Sequence, residues 1–185
     1  MPGRLTNKGL IILDRDGVIN HDSEQFVKSA AEWLPLPGSI GAITALCRAG
    51  YTVTIASNQS GLARELFDRK ALRSMHRKLR TLVAAEGGSI SRIVVCPHTP
   101  QDGCNCRKPR PGLLLRLAHY YGVEPAGIPV IGDSLRDLQA AVAIGARPLL
   151  VRTGNGRQTE RSLPENLGPI EIFDDLAAAT VSLAG

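Results

Sequence analysis

The chain has 185 residues, 43% hydrophobic, 21% charged and 4% aromatic, with 22 basic against 17 acidic side chains and a net charge of +5. It is too apolar for a disordered segment, too short for two ordinary domains, and large enough to bury about 70% of its unfolded surface without disulfides. No run approaches the roughly 18 apolar residues of a membrane span, and the stretch from Gly9 to Leu13 is shorter than the about 7–15 residues of a signal-peptide core. The expectation is therefore a single domain over residues 1–185, a cytoplasmic monomer without a membrane partner.

Taken in chain order, strand-length apolar runs alternate with helical patterns. The strand candidates are Leu10–Leu13, Tyr51–Ala56, Ile90–Val95, Pro129–Ile131 and Pro148–Val151, several apolar at every position, as in parallel strands covered on both faces. The helix candidates run from Ser39 to Ala49 before Gly50, from an Asp68 cap to Gly87, from Pro111 to Gly122, from Ser134 to Ile144 before Gly145, and from Asp174 to Leu183. Gly154-Asn155-Gly156 reads as a turn. This alternation predicts an α/β fold, a doubly wound (Rossmann-like) parallel sheet. The basic run Arg64–Arg80 contains Leu72, Met75 and Leu79 at helical spacing, continued by Leu82 and Val83, which predicts a helix with a solvated basic face. A nucleic-acid module remains the reading from another class, but Phe67 is the only aromatic residue in that run and makes a poor stacking platform.

Ligands of such sheets bind beyond the carboxyl ends of the strands. There the sequence delivers Asp14-Arg15-Asp16-Gly17, Ser57-Asn58-Gln59-Ser60, Cys96-Pro97-His98 and Gly132-Asp133-Ser134. Each alone could be turn chemistry, but four at one edge could not all be. A carboxylate that attacks a phosphate dianion meets about 4 kcal/mol of repulsion per charge pair at 4 Å and an effective dielectric near 20. It needs a divalent cation and a fixed positive group. Asp14 and Asp133 offer hard oxygen ligands for Mg²⁺, Lys108 the fixed charge, and Ser57 a hydrogen bond to a phosphoryl oxygen.

In order along the chain, DRDGVIN (Asp14–Asn20), SNQSG (Ser57–Gly61), CRKPRPG (Cys106–Gly112) and GDSLRD (Gly132–Asp137) carry a resemblance to the haloacid dehalogenase superfamily of phosphohydrolases. Within it the chain is most similar to the capless histidinol-phosphate and heptose-bisphosphate phosphatase branch. The resemblance implies Asp14 as nucleophile, Asp16 as general acid and base, and Mg²⁺ on Asp14, the Asp16 backbone carbonyl and Asp133. It further implies that Ser57 and Lys108 hold the phosphoryl group and that Arg107 contacts a phosphorylated sugar, as in the heptose route to lipopolysaccharide. Asp137 either orients the metal site through water or serves the helix dipole.

Cys96-Pro97-His98 and Cys104-Asn105-Cys106 place three of the four cysteines with one histidine within eleven residues. Thiolates and an imidazole suit tetrahedral Zn²⁺, and four protein ligands leave no open position for chemistry, so Cys96, His98, Cys104 and Cys106 are expected to hold a structural zinc. The clasp would order Arg107 and Lys108 directly after it. Cys47 reads as a small core residue. Only 36 residues separate Asn20 from Ser57, too few for a cap domain. Selectivity then falls to loops: Asp22, Ser23, Glu24 and Gln25 for sugar hydroxyls, Arg15, Asn58, Gln59 and Ser60 around the phosphate, Arg107 and Arg110 for a second anion, and the stretch from Thr153 to Gln158. A bisphosphate uses that second anion site, whereas histidinol phosphate or another small phosphomonoester does not.

Overall fold

The structure, a computed structural model, describes residues 5–185. Six parallel strands, β1 (Gly9–Leu13), β2 (Tyr51–Asn58), β3 (Arg92–Cys96), β4 (Pro129–Gly132), β5 (Arg147–Val151) and β6 (Glu171–Phe173), form one sheet in the order β3-β2-β1-β4-β5-β6. The helices are α1 (Ser39–Arg48), α2 (Arg69–Ala85), α3 (Gly112–Tyr121), α4 (Leu135–Val142), α5 (Gly156–Arg161) and α6 (Leu176–Ala184). The doubly wound sheet is as read from the sequence, with β6 and α5 added. Three residues beginning with an exposed glutamate are too few to show a strand pattern, and the turn expected at Gly154-Asn155-Gly156 leads directly into α5.

Alternation along β1 sorts the core. Ile11 and Leu13 face one layer with α1, α2 and α6, while Leu10 and Ile12 face the other with α3 and α4. On α2, Leu72, Met75, Leu79 and Val83 are buried at helical spacing, and the Asp68 carboxylate caps the helix by accepting from Ala71 N–H at 2.7 Å. The Cys47 sulfur lies against Ser89 and packs on the core, away from the other cysteines. No helix among the described residues is long and apolar enough to cross a membrane.

The chain builds outward from β1 to β3, then crosses back to β4 and builds the other way. The crevice opens at the switch between β1 and β4. Asp14 extends that junction by donating its N–H to Ile131 O at 2.8 Å. Backbones then close in beneath Asp133. A Cβ on Gly17 (φ 80°) would stand 2.1 Å from its Oδ2, and one on Gly154 would stand 2.3 Å from the same atom. Glycine is required at both, because any side chain would displace the carboxylate. No inserted cap lies over the strand ends among the described residues.

Candidate active site

Lys108 is the hub of the cleft. Its ammonium, 3% exposed, bonds Ala56 O at 2.8 Å, Asp14 Oδ1 at 3.0 Å and Asp137 Oδ1 at 2.5 Å. Burial lowers its pKa, but Asp137 and Asp14 more than offset this and hold the group above the usual lysine value. Its backbone is clamped twice by Asn58, whose Oδ1 accepts from Lys108 N–H and whose Nδ2 donates to Lys108 O, both at 3.1 Å. Asn58, expected at the substrate, lines the cleft and also positions this lysine.

Asp14 lies opposite, with Arg15 N–H on its Oδ1 at 2.7 Å. Burial pushes its carboxyl up to about 8; Lys108 opposes this, while Asp137, Asp133 and Asp16 add to it. Asp133 is lifted to about 6 by burial and by Asp137, against hydrogen bonds from Asn155 N–H (2.8 Å) and Asn155 Nδ2 (3.1 Å) to Oδ2. Asp137 stands at the helix start and also pairs with the lysine. Its Oδ2 closes a capping box on Ser134 at the start of α4, and its Oδ1 pairs with Lys108. Ligand oxygens of Asp14, Asp133 and Asp137 lie within 4.8 Å of one another. Crowded carboxylates, those of Asp14 and Asp133 held above their normal pKa, suit a hard divalent cation, and Mg²⁺ fits this donor set.

Asp16 differs from Asp14. Burial raises its pKa, yet the charge of Arg15 and hydrogen bonds from Asn20, Arg15 and Gln59 overcome this and lower it. Arg15 Nη2 reaches both Asp16 oxygens at 2.8 and 2.9 Å, and Gln59 Nε2 bridges Asp16 Oδ2 (2.7 Å) to Ser57 Oγ (2.8 Å). Arg15 and Gln59 line the cleft and also hold Asp16 and Ser57, while Arg15 Nη1 is left without a partner.

The cleft holds about 270 Å³ and also takes in Asp22, Ser23, Ser57, Ser60 and Arg107 from the expected set. Glu24 faces an adjoining depression with Asp22 and Asn155, and Gln25 does not line the cleft. Arg110 does not line the cleft: its Nη1 bonds the carbonyls of Gly103 and Cys104, bracing the cysteine loop, and it lines an adjoining depression with Arg107 and Arg136. In the cleft itself Arg64 and Arg136 stand beside Arg107. Burial and the charges of Arg136 and Arg64 depress the Arg107 pKa. Arg64 was hidden in a run that reads as one helix face; it precedes α2, on a turn. Arg136 carried no signal beyond its place after Asp133. Phe26 and Val27 add an apolar wall, with Phe26 at φ 65°.

In the cysteine loop the Sγ atoms of Cys96, Cys104 and Cys106 lie 3.2–3.6 Å apart, and His98 Nδ1 lies 3.6 Å from Cys96 and 3.3 Å from Cys106. Tetrahedral bonds of the usual Zn–S and Zn–N lengths space such atoms by about 3.8 and about 3.6 Å, so the four ligands fit that ion. Arg107 Nη1 bonds His98 O at 3.1 Å, which links the clasp to the cleft.

A paired aspartate after β1, a buried lysine and an aspartate after β4, at the switch of a parallel sheet, define a phosphohydrolase of the haloacid dehalogenase type. Residues 105–179 match the HAD-hydrolase-like family, and residues 10–130 match the polynucleotide kinase 3 phosphatase family. The chain is 52% identical over 170 residues to the D-glycero-beta-D-manno-heptose-1,7-bisphosphate 7-phosphatase of Pseudomonas putida, covering 91% of this chain and 95% of that one. It is 53% identical over 176 residues to the Bordetella bronchiseptica protein of the same name, covering 94% and 97%. The crystal structure of the B. bronchiseptica D,D-heptose 1,7-bisphosphate phosphatase complexed with magnesium and phosphate superposes with a TM-score of 0.90 at 52% identity, over 95% of this chain and 97% of that chain. The chain belongs to the D-glycero-beta-D-manno-heptose-1,7-bisphosphate 7-phosphatase family.

Asn155 holds Asp133 through two hydrogen bonds to one oxygen. Replacing it with alanine removes the side-chain bond and is expected to weaken Mg²⁺ binding by about 10-fold, with kcat at saturating Mg²⁺ changed less, as measured by Mg²⁺ titration of activity.

Proposed function

We propose that this protein removes the 7-phosphate of D-glycero-D-manno-heptose 1,7-bisphosphate through a phosphoryl group carried transiently on Asp14. The single observation that carries the reading is the Lys108 ammonium 3.0 Å from Asp14 at the floor of a cleft whose mouth gathers Arg64, Arg107 and Arg136. One cation serves the phosphate that reacts, and three serve an anion at the other end of the substrate. A sugar bisphosphate has both; histidinol phosphate lacks the second.

Asp14 attacks phosphorus through the carboxylate oxygen that Lys108 does not hold. Lys108 and Ser57 Oγ stabilise the charge on the transferring oxygens. The P–O bond to the sugar breaks, and its oxygen takes a proton from Asp16. Asp16 then takes a proton from water, which attacks the phosphorylated Asp14 and regenerates the carboxylate. Hydrogen bonds from Arg15, Asn20 and Gln59 favour the anionic form of Asp16, which suits the second step. For the first it must gain a proton, which an incoming dianion that draws Arg15 away would promote. Mg²⁺ would be held by Asp14, Asp133 and the backbone carbonyl of Asp16, and it supplies charge neutralisation on a phosphoryl oxygen. Zn²⁺ on Cys96, His98, Cys104 and Cys106 would hold the loop that presents Arg107 and Lys108.

Asp14→Asn is expected to lower phosphate release from the heptose bisphosphate on the order of 10⁴-fold or more while the circular dichroism spectrum stays unchanged; near-normal turnover would overturn the mechanism. The elevated carboxyls of Asp14 and Asp133 give a pH signature. A carboxyl whose folded pKa is raised stabilises the metal-free fold most below its unfolded value near 4, and this contribution is lost as pH rises through about 6 for Asp133 and about 8 for Asp14. Thermal unfolding with and without Mg²⁺ should therefore show a larger Mg²⁺-induced rise in Tm at pH 8.5 than at pH 6. Cys104→Ser, or zinc removal by a chelator followed by Mg²⁺ readdition, should raise KM several-fold before it lowers Tm appreciably, measured by steady-state kinetics and calorimetry. Full activity in protein that metal analysis finds free of zinc would exclude the role given to the clasp.

A further inference from the structure

β3 is the outermost strand on its side of the sheet. Gln59, just past β2, donates its N–H to Cys96 O at 2.7 Å, so alternation along the strand turns the N–H and C=O of Arg92, Val94 and Cys96 toward β2 and those of Ile93 and Val95 outward. Among the described residues no other strand pairs with that edge. It lies at the floor of a groove of about 630 Å³ between α2, which covers one face of the sheet, and α3, which covers the other. The groove is cationic. Arg69, Arg73 and Arg80 enter from α2, Arg92 from β3 and Arg116 from α3, and no carboxylate lines it.

These arginines are unlike others in the chain. Arg15, Arg147 and Arg152 are each ion-paired with a carboxylate, whereas among the described residues Arg69, Arg73, Arg92 and Arg116 are not. The Arg92 guanidinium is stacked 3.6 Å from the Tyr120 ring centroid, and Arg80 is fixed on the Ile90 carbonyl. Arg69 and Arg73 are four residues apart on a helix, a rise of about 6 Å, close to the roughly 6.6 Å between alternate side chains of an extended chain.

The geometry points to the β3 edge as a docking slot for an extended acidic segment of a partner protein. The segment adds a strand to the sheet, bonding its backbone to Ile93 and Val95, and places alternate carboxylates against Arg69 and Arg73. Its other side chains meet the α3 side, with Arg116 at the rim. A second copy of this chain suits the slot poorly, because edge-to-edge pairing would bring two sets of five arginines together. A nucleic acid suits it less well than a peptide, because no Phe, Tyr or Trp lines the groove and the half-buried His76 is its one ring.

The test uses a fluorescein-labelled peptide of alternating Glu and Val, with two comparison ligands: the same peptide N-methylated along its pairing edge, and a thymidine oligonucleotide of equal charge. The parent peptide is expected to bind with hydrogen-exchange protection appearing at the Ile93 and Val95 amides, and N-methylation should weaken it by about 10-fold or more. The double variant Arg73→Glu, Arg116→Glu should weaken it by a similar factor, while unchanged phosphatase activity reports that the variant is folded. Equal binding of the N-methylated peptide, tighter binding of the oligonucleotide, or edge-paired dimers in sedimentation would each overturn the proposal. No peptide binding at all would overturn it as well, leaving the arginines only to keep the edge from self-pairing.

Discussion

The site depends on one buried ammonium. Lys108 takes its three protons to a backbone carbonyl and two carboxylates, in a place where an unpaired charge would be intolerable. Remove it and Asp14, Asp133 and Asp137 face one another with nothing to balance them. With it in place they still carry surplus negative charge, and that surplus draws a hard cation to the strand ends. The same ammonium serves folding and chemistry, because the position that satisfies two acids also faces the oxygens of a transferring phosphoryl group.

Its placement is secured from three directions. Asn58, at the end of β2, grips the lysine backbone from both sides. The cysteine loop precedes it in the chain, and Arg107 and Arg110 tie that loop to its own carbonyls. Asp137, at the first turn of α4, receives the ammonium from the far side of β1. Groups separated by up to 79 positions in sequence thus converge because a parallel sheet brings all its carboxyl ends to one edge.

Much of this was legible in the chain. Apolar runs of strand length, glycine stops and the Asp68 cap marked most elements, since those signals are local. β6 and α5 were missed because each is short and half exposed. In the site, residue types whose chemistry is distinctive, such as Asp14, Asp133, Lys108 and the cysteine set, stood out at strand ends. The supporting roles did not. The bonds of Asn58 to the Lys108 backbone and of Gln59 to Asp16 and Ser57 leave no trace in the sequence, and Arg64, Arg136 and Asn155 reach the cleft only through the path of the backbone. Arg110 shows the converse: its neighbourhood in sequence suggested the ligand, and its side chain turned to the loop.

With no folded layer above the strand ends, the phosphoryl-bearing aspartate would sit in direct contact with bulk solvent. Its lifetime would then be governed by the basicity of Asp16 and not by the opening of a door. Enzymes that close over their substrate must reopen before each release; an open mouth frees this one from that delay and leaves discrimination to the fixed charges at its entrance.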